Sequence, residues 1–361
     1  MYADITATQL LERLDRGGEP FILDVREPEE FAEWAIPGAL NVPLGQLAAR
    51  GRELPRDREI VVVCASGNRS SQAAMALARA GLPVANLKGG MLAWGTVYDT
   101  ASATVGDATI VQVRRRGKGC LSYIVGSGTQ AFVIDPAIDI DHYIRLAGEH
   151  GWRITRVFDT HLHADHLSGA RDLAEATHAE LHLNPADTFS FAYTPLTDRQ
   201  RFELPGGTQL SVATLHTPGH TMGSTVYGLD DGVLFTGDTV FVDGVGRPDL
   251  AERAAEFAHN LYRSLHDRIL TQAGDTLVLP GHYGAATVVR PDTLVATTLA
   301  ALRSTLDPLG YDEDAFVAWA TDRSTERPPN YEQIIRANMG TPETSLLLLK
   351  RMEIGPNRCS A

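Results

Sequence analysis

Cysteine is scarce in this chain: three residues in 361, far apart at Cys64, Cys120 and Cys359, which excludes a disulfide framework. No apolar run approaches the ~20 residues needed to cross a bilayer, so a helical membrane span and a membrane partner are excluded. Positive charge is in short supply as well. With 32 Lys+Arg against 45 Asp+Glu the net charge is −13, which repels a phosphate backbone and argues against nucleic acid as a partner. The one compact basic run, Arg114-Arg115-Arg116-Gly117-Lys118, is expected to be a solvated hairpin edge. The N-terminal Met1-Tyr2-Ala3-Asp4-Ile5-Thr6 lacks the basic-then-apolar pattern of a secretory signal, so a reducing cytoplasm is the expected location. Histidine is missing from the first 141 residues, and all 12 fall at or after His142. Imidazole chemistry therefore belongs to one part of the chain.

What remains is an ordinary globular composition, 43% hydrophobic and 21% charged, long enough for two domains. Up to about residue 100, short apolar runs (Phe21–Val25, Ile60–Cys64) alternate with a helical pattern at Ser70–Ala80, which predicts a parallel sheet with crossover helices. The small, polar residues 96–108 read as a linker, placing domains at 1–104 and 105–361. Strands are expected next at Ile110–Val113, Leu121–Val125 and Ala131–Asp135, then β/α units, then strands at Gln209–Leu215, Thr225–Leu229 and Val233–Thr236. From Pro291 the pattern is mostly helical, with a frayed end at Arg351–Ala361.

Cys64-Ala65-Ser66-Gly67-Asn68-Arg69-Ser70 joins an apolar strand to a helix. A thiol there meets free backbone N–H groups and the positive end of a helix dipole, so its thiolate is stabilised and nucleophilic near neutrality. Gly67 lets the loop curl, with Ser66 and Asn68 beside it, and Arg69 can grip an anionic donor. A buried structural cysteine is the alternative. The motif Cys-x-x-Gly-x-Arg-Ser resembles the active loop of rhodaneses, and the likeness extends to Leu23-Asp24-Val25-Arg26, Ile36-Pro37-Gly38-Ala39 and Gly89-Gly90-Met91-Leu92-Ala93-Trp94. It implies that Cys64 accepts sulfane sulfur from thiosulfate or another donor and that Arg69 helps hold that donor.

Arg156–Thr160 leads into His161-Leu162-His163-Ala164-Asp165-His166, followed by a helix expected over Leu167–Thr177 with Asp165 and His166 on its first turn. Three more apolar strands end in a ligand: Thr217-Pro218-Gly219-His220, Thr236-Gly237-Asp238 and Leu279-Pro280-Gly281-His282. Imidazole and carboxylate donors with no cysteine among them suit Zn, Fe or Mn and argue against a closed structural zinc knot. His142, His150, His178, His182, His259 and His266 carry no motif and are expected at the surface, and His216 is structural or supports the ligands.

This set resembles the metallo-β-lactamase superfamily, implying an αββα sandwich with metal at one edge and a helical C-terminal segment. Two branches stay open. In the glyoxalase II-like branch, His161, His163 and His220 hold one ion, Asp165, His166 and His282 another, and Asp238 bridges, with two Zn or mixed Fe/Zn and thioester hydrolysis. In the persulfide dioxygenase branch, His161, His220 and Asp238 hold one Fe(II), leaving positions for O2 and a thiol persulfide, while His163, Asp165, His166 and His282 support them.

The segment Gly244-Val245-Gly246-Arg247-Pro248-Asp249 resembles the Gly-x-Gly-Arg-x-Asp of persulfide dioxygenases, where the Arg faces substrate; as a plain turn it would only pair Arg247 with Asp249. Tyr283, a substrate-contact candidate, follows His282 directly, whereas those enzymes place an Asp between them. The thiol carrier is therefore open: glutathione, another small thiol, coenzyme A or the protein persulfide at Cys64. Fusion to a persulfide-forming domain favours oxidation of persulfide to sulfite, because tethering raises the effective concentration of a shared intermediate. A persulfide sensor is the reading from outside enzymology, and homo-oligomerisation is left open.

Overall fold

The computed structural model describes residues 2–204, 210–229, 232–248, 253–284, 287–322, 327, 330–341 and 355. The chain divides into two compact units, residues 1–99 with 115–118 and 354–356, and residues 100–114 with 119–353 and 357–361. Asp249 and Cys359 lie outside the described residues, as does nearly all of 351–361.

The first unit runs β1 (Ala3–Ile5), α1 (Ala7–Asp15), β2 (Phe21–Asp24), α2 (Pro28–Glu33), β3 (Leu40–Asn41), α3 (Leu47–Arg50), β4 (Ile60–Val63), α4 (Asn68–Arg79), β5 (Val84–Leu87) and α5 (Gly90–Trp94). Its five strands are all parallel, in the order β1-β5-β4-β2-β3. Every residue of β4 is buried, as a strand covered on both faces requires. Val61 and Val63 pack with Leu10, Ile22 and Ala85 on one side, while Ile60, Val62 and Cys64 pack with Leu23, Ala73 and Leu77 on the other. The strand thus delivers Cys64 at its C-terminal end, directly before α4.

Residues read as a linker form a strand instead, β6 (Tyr98–Val105), paired in the next sheet. The basic run is corrected too. Arg115 is buried and donates from Nε to the carbonyl of Gly95 at 2.5 Å, and Arg116 pairs with Asp15 (2.9 Å) and Asp99 (2.6 Å). Local charge density suggested solvent, but a carbonyl remote in sequence engages Arg115 Nε and two carboxylates engage the Arg116 guanidinium.

The second unit continues with β7 (Ala108–Arg115), β8 (Cys120–Ser127), β9 (Gln130–Ile134), α6 (Ile140–Glu149), β10 (Arg153–Phe158), α7 (Ala170–Thr177), β11 (Glu180–Leu183) and β12 (Thr194–Pro195). Then come β13 (Arg201–Leu204), β14 (Leu210–His216), β15 (Thr225–Leu229), β16 (Val233–Gly237), α8 (Ala254–Ser264), β17 (Leu277–Pro280), β18 (Thr297–Thr298), α9 (Leu299–Thr305), α10 (Glu313–Asp322) and α11 (Tyr331–Asn338). One sheet has the order β12-β11-β10-β9-β8-β7-β6 and the other β13-β14-β15-β16-β17-β18. Ile110, Tyr123, Phe132, Phe158, Tyr227, Phe235 and Leu279 form a single apolar cluster drawn from both sheets. On the outer side of the second sheet, Val226, Leu234 and Val278 meet Leu261, Leu302 and Phe316 of the helices. Helices α6 and α7 pack on β10 of the first sheet, completing the αββα layers. Arg114 is buried here, its Nη1 bonded to the carbonyls of Arg290 and Thr293. Among the described residues no helix is long and apolar enough to cross a membrane.

Strand direction concentrates the chemistry. β9 and β10 are parallel, with Ile134 beside Phe158, so Asp135 and Asp159 emerge together. β16 and β17 are also parallel, with Gly237 beside Pro280, so Asp238 and His282 emerge together from the second sheet.

Candidate active sites

The Cys64 loop is built around its sulfur. The N–H of Gly67 points at Sγ from 3.1 Å, and Ser70 Oγ lies 3.3 Å from it. Gly67 takes φ +96°, and a Cβ there would lie 3.2 Å from the amide N of Gly89, so only glycine fits without strain. Burial alone would push the Cys64 thiol up, but hydrogen bonds from the Ser70 side chain and the amides of Ser70, Ser66 and Gly67 outweigh it and bring it below its ordinary value. Ser70 escaped the sequence reading as a site residue, although it closes the quoted motif. Asn86, whose Oδ1 lies 2.6 Å from Ser70 Oγ and shares that hydroxyl's single proton with the Cys64 sulfur, is itself held by Asp4 and gave no sequence signal at all. The side chains of Ser66 and Asn68 face solvent. Arg69 is engaged by Glu30 through two 2.7 Å bonds, so an anionic donor has to share that guanidinium with a carboxylate.

Loss of the Ser70 hydroxyl should disfavour the thiolate. Ser70→Ala is expected to move the pH–rate midpoint for sulfur uptake upward and to slow the reaction at neutral pH by roughly tenfold, since hydrogen bonds to charged groups contribute about 1.5–3 kcal/mol. Pre-steady-state persulfide formation measured across pH checks it, and an unmoved midpoint rules the assignment out.

In the second unit, donor atoms of His161, His220 and Asp238 lie within 4.8 Å of one another, all buried. His220 Nε2 and His161 Nε2 are 3.5 and 3.8 Å from Asp238 Oδ2. Among the described residues none of these three atoms has a hydrogen-bond partner, and three orphaned buried ligand atoms converging on one point fit a metal ion. The other ring nitrogens fix the tautomers. His220 Nδ1 lies 2.9 Å from the carbonyl of Arg247, so Nδ1 carries the proton. Thr160 Oγ1 donates to Asp135 Oδ2 (2.9 Å) and must therefore accept from His161 Nδ1 (2.9 Å). Both Nε2 lone pairs are thus free for a cation, the outer-partner arrangement usual around metal-binding histidines. Burial, reinforced by His163, keeps His161 well below its ordinary value, and burial also lowers His220, so both rings are neutral. Burial would raise Asp238, but His282 and His161 dominate and hold it ionised.

Thr160 and Asp135 were not anticipated as support, although Asp135 shows the same strand-end signal as Asp238. Thr160→Val, which removes the contact to His161 while keeping volume, is expected to weaken metal binding by about 10- to 100-fold. A competitive chelator titration reads this directly.

The remaining motif residues form two further groups. His163 joins Asp135 and Asp159: its Nε2 lies 3.1 Å from Asp135 Oδ1, while Nδ1 has no hydrogen-bond partner among the described residues. Asp165, His166 and His282 gather with Cys120, which no motif flagged. Burial opposes charge on His166 and His282; Asp165 overrides it, lifting His166 to about 10 and His282 well above its ordinary value. Asp238 Oδ1 is taken by His282 Nδ1 at 2.7 Å, so the carboxylate expected as a bridge spends one oxygen on an imidazole.

The helix expected from Leu167 starts only at Ala170, which places Asp165 and His166 in a loop. Asn338 holds this loop in place, its Nδ2 donating to the carbonyls of His163 and His166 and its Oδ1 accepting from the Ser168 amide. Asp187 clasps the two ligand loops, accepting from the amides of Leu162 and Gly223 and from Thr221 Oγ1. Neither residue is near the motifs in sequence.

Arg247 is buried, and its carbonyl orients His220; a Cβ on Gly246 would lie 1.8 Å from the carbonyl oxygen of Asp238, so this turn closes only with glycine. The proposed Arg247–Asp249 pair falls outside the described residues. Tyr283 is half-buried, its amide bonded to the carbonyl of Gly119. His182 is not at the surface as expected: it is 3% exposed and stacked on Phe158 at 5.2 Å. An imidazole can be buried when an aromatic face covers it and a carboxylate meets its ring nitrogen, here Glu180 Oε2 at 3.3 Å from Nε2.

Residues 6–96 match the rhodanese-like domain family, and residues 115–282 match the metallo-beta-lactamase superfamily. The chain is a rhodanese domain fused to a metallo-β-lactamase domain. A sulfurtransferase of Allochromatium vinosum is 39% identical over 95 residues, 26% of this chain and 89% of that protein. The mitochondrial persulfide dioxygenase ETHE1 of Mus musculus is 30% identical over 183 residues, 46% of this chain and 65% of that one. A hydroxyacylglutathione hydrolase of Methylobacillus flagellatus is 38% identical over 117 residues, 32% of this chain and 46% of that one. The chain therefore spans about half to two thirds of the length of these last two relatives. The crystal structure of ETHE1 from Myxococcus xanthus superposes with a TM-score of 0.57 at 28% identity, covering 64% of this chain and 97% of that one. The Cys64 turn is thus the rhodanese domain's loop, and the convergent His and Asp side chains sit at the strand ends of the metallo-β-lactamase domain.

Proposed function

We propose that the metallo-β-lactamase domain oxidises a thiol persulfide to sulfite with O2, and that the rhodanese domain supplies or passes the sulfane sulfur through a persulfide on Cys64. In the transfer step Cys64 Sγ attacks the outer sulfur of a donor such as thiosulfate. The donor's S–S bond breaks, a Cys64 persulfide forms, and sulfite leaves with the electron pair. The oxidation balances as persulfide plus O2 plus water giving thiol, sulfite and two protons.

The observation that carries the reading is the separation of the ligands. His161, His220 and Asp238 present three orphaned atoms to one point, and the second oxygen of Asp238 is occupied by His282. Such a two-His, one-carboxylate face suits a single non-haem Fe(II), which when bound would supply the redox chemistry that lets O2 react with a coordinated sulfur. The protein's part is to hold the imidazoles neutral, fix their tautomers through Thr160 and the Arg247 carbonyl, and keep the face dry. Relatives that are persulfide dioxygenases and a sulfurtransferase support the same pairing of activities.

The hydroxyacylglutathione hydrolase among the relatives keeps thioester hydrolysis as the rival. An oxygen electrode with sulfite detection separates them. The iron-loaded full chain is expected to consume O2 and release sulfite from glutathione persulfide. Hydrolysis of S-lactoylglutathione by the zinc-loaded chain, without O2 uptake on persulfide, would overturn the proposal.

A further inference from the structure

The Ser70 hydroxyl has one proton and two acceptors. Its Oγ lies 2.6 Å from Asn86 Oδ1 and 3.3 Å from Cys64 Sγ, and a hydroxyl donates only once. The amides of Ser66, Gly67 and Ser70 meet the sulfur from fixed backbone positions, whereas the hydroxyl turns about its side-chain bond. Ser70 and Asn86 are 0 and 5% exposed, so the competition takes place away from bulk water, where hydrogen bonds are electrostatically stronger.

The sheet sets Asn86 for this contact. It stands on β5 between two register partners, Asp4 of β1 and Val62 of β4. Its Nδ2 donates to Asp4 Oδ1 at 2.8 Å. A carboxylate can only accept that bond, so the amide is held in one orientation with Oδ1 toward Ser70. The charged groups around the loop are engaged elsewhere or exposed. Arg69 of α4 is gripped by Glu30 of α2, and Glu27 also acts on it. Asp24, beside Val63 in the sheet, pairs with Arg26, while Asp4 and Lys88 are exposed.

We infer that Asn86 is a positioning residue for sulfur transfer: it holds the Ser70 proton while Cys64 is a thiol or a persulfide and yields it to Sγ when Cys64 is a thiolate. The inference rests on the transfer step proposed for Cys64 and deepens it. A thiolate attracts the proton more strongly than an amide oxygen does, whereas the Sγ of a thiol or persulfide is a weak acceptor. On loading, the thiolate attacks the donor's outer sulfur, the new S–S bond takes the charge off Sγ, and the hydroxyl turns to Asn86. On discharge, an acceptor nucleophile attacks the outer sulfur of the persulfide. The S–S bond breaks, Sγ leaves with the electron pair, and the Ser70 hydroxyl turns back to meet it. No proton changes owner in either step; only the O–H bond swings. Asn86 thereby stabilises the thiol and the loaded persulfide relative to the thiolate, an effect opposite in sign to that of Ser70.

The test is the pH dependence of Cys64 alkylation in the full-length chain, read by mass on the loop peptide, for the parent, Asn86→Leu, Ser70→Ala and the double variant. Asn86→Leu is expected to lower the midpoint by about half to one pH unit, the equivalent of one hydrogen bond between neutral groups. Above the midpoint, at a fixed thiosulfate-to-sulfite ratio, it should reduce the ratio of persulfide to free thiolate by roughly three- to tenfold. On the Ser70→Ala background the same substitution should change neither quantity. General disturbance of the loop would raise the midpoint instead, because misaligned donors no longer favour the charged sulfur. Asn86→Ala adds no bulk and should shift the midpoint the same way if leucine prevents folding. An unmoved or raised midpoint in the variant that folds, a loaded fraction that does not fall, or a shift that persists without the Ser70 hydroxyl would overturn the assignment. If the parent takes up no sulfur, the transfer reading fails, while the alkylation midpoints still decide which acceptor holds the proton.

Discussion

His220→Ala is expected to strip iron from the metallo-β-lactamase domain and to reduce O2 uptake on glutathione persulfide by more than about a hundredfold. The magnitude follows from position. Loss of an outer partner to a metal-bound histidine typically costs about 10- to 100-fold in affinity or activity, and His220 would contact the ion itself. Two rings and one carboxylate oxygen leave nothing to spare: with His220 Nε2 gone, only His161 Nε2 and Asp238 Oδ2 among the described residues still face the point. Iron per chain, measured by emission spectrometry beside the oxygen electrode, decides it. Full iron occupancy with unchanged O2 uptake in the variant would move the reaction elsewhere, with the Asp165–His166–His282 group the first alternative. Sulfur transfer by Cys64 should persist, since the rhodanese domain has its own sheet and two apolar cores.

The complementary expectation concerns Cys64→Ser. Thiosulfate-dependent sulfur transfer should fall by roughly a thousandfold or more, because a serine hydroxyl is not ionised near neutrality and the loop amides that stabilise a thiolate cannot take its proton. O2 uptake on added glutathione persulfide should continue at the parental rate. Trapping the persulfide with an alkylating reagent and measuring the added sulfur mass on the loop peptide gives a second, activity-independent readout. A variant that still transfers sulfur would assign the nucleophile to another thiol. Loss of O2 uptake in the same variant would mean that the oxidising domain takes its sulfur only from Cys64.

Together the two substitutions separate what the fusion joins. If each removes one activity and spares the other, the domains work as independent catalysts whose tether concentrates a shared intermediate. Thiosulfate-driven O2 consumption by the unmodified chain would then require both Cys64 and His220, whereas glutathione persulfide would require only His220.

Much of the site was legible in sequence because it is local. The Cys64 loop is one continuous turn whose strand, glycine and helix follow in order, and the His-x-His-x-Asp-His segment puts four donors within six residues. Strand-end ligands could also be read, since an apolar run ending in Gly-His or Gly-Asp marks where a buried strand meets an edge. What could not be read is pairing. His161 and His163 look equivalent in the motif, but Thr160 turns one toward the Asp238 group and Asp135 holds the other. The burial of Arg114 and Arg115 was missed for the same reason, their acceptors being carbonyls contributed by remote segments. So was the loop before α7, which Asn338 holds from about 170 residues away.

By itself, then, the sequence determined what each domain carries: a cysteine between a strand and a helix in a stretch without histidine, and a set of strands ending in His and Asp. Tertiary structure decided how the donors are divided. Parallel strands bring Asp135 to Asp159 and Asp238 to His282, hydrogen bonds to distant partners choose which ring nitrogen stays free, and the pairing of Cys120 with His282 adds a sulfur no motif announced. The physical reason is range. Backbone geometry and the helix dipole act over a few residues and are written in the local sequence, whereas desolvation and hydrogen bonding depend on which segments the folded core brings together.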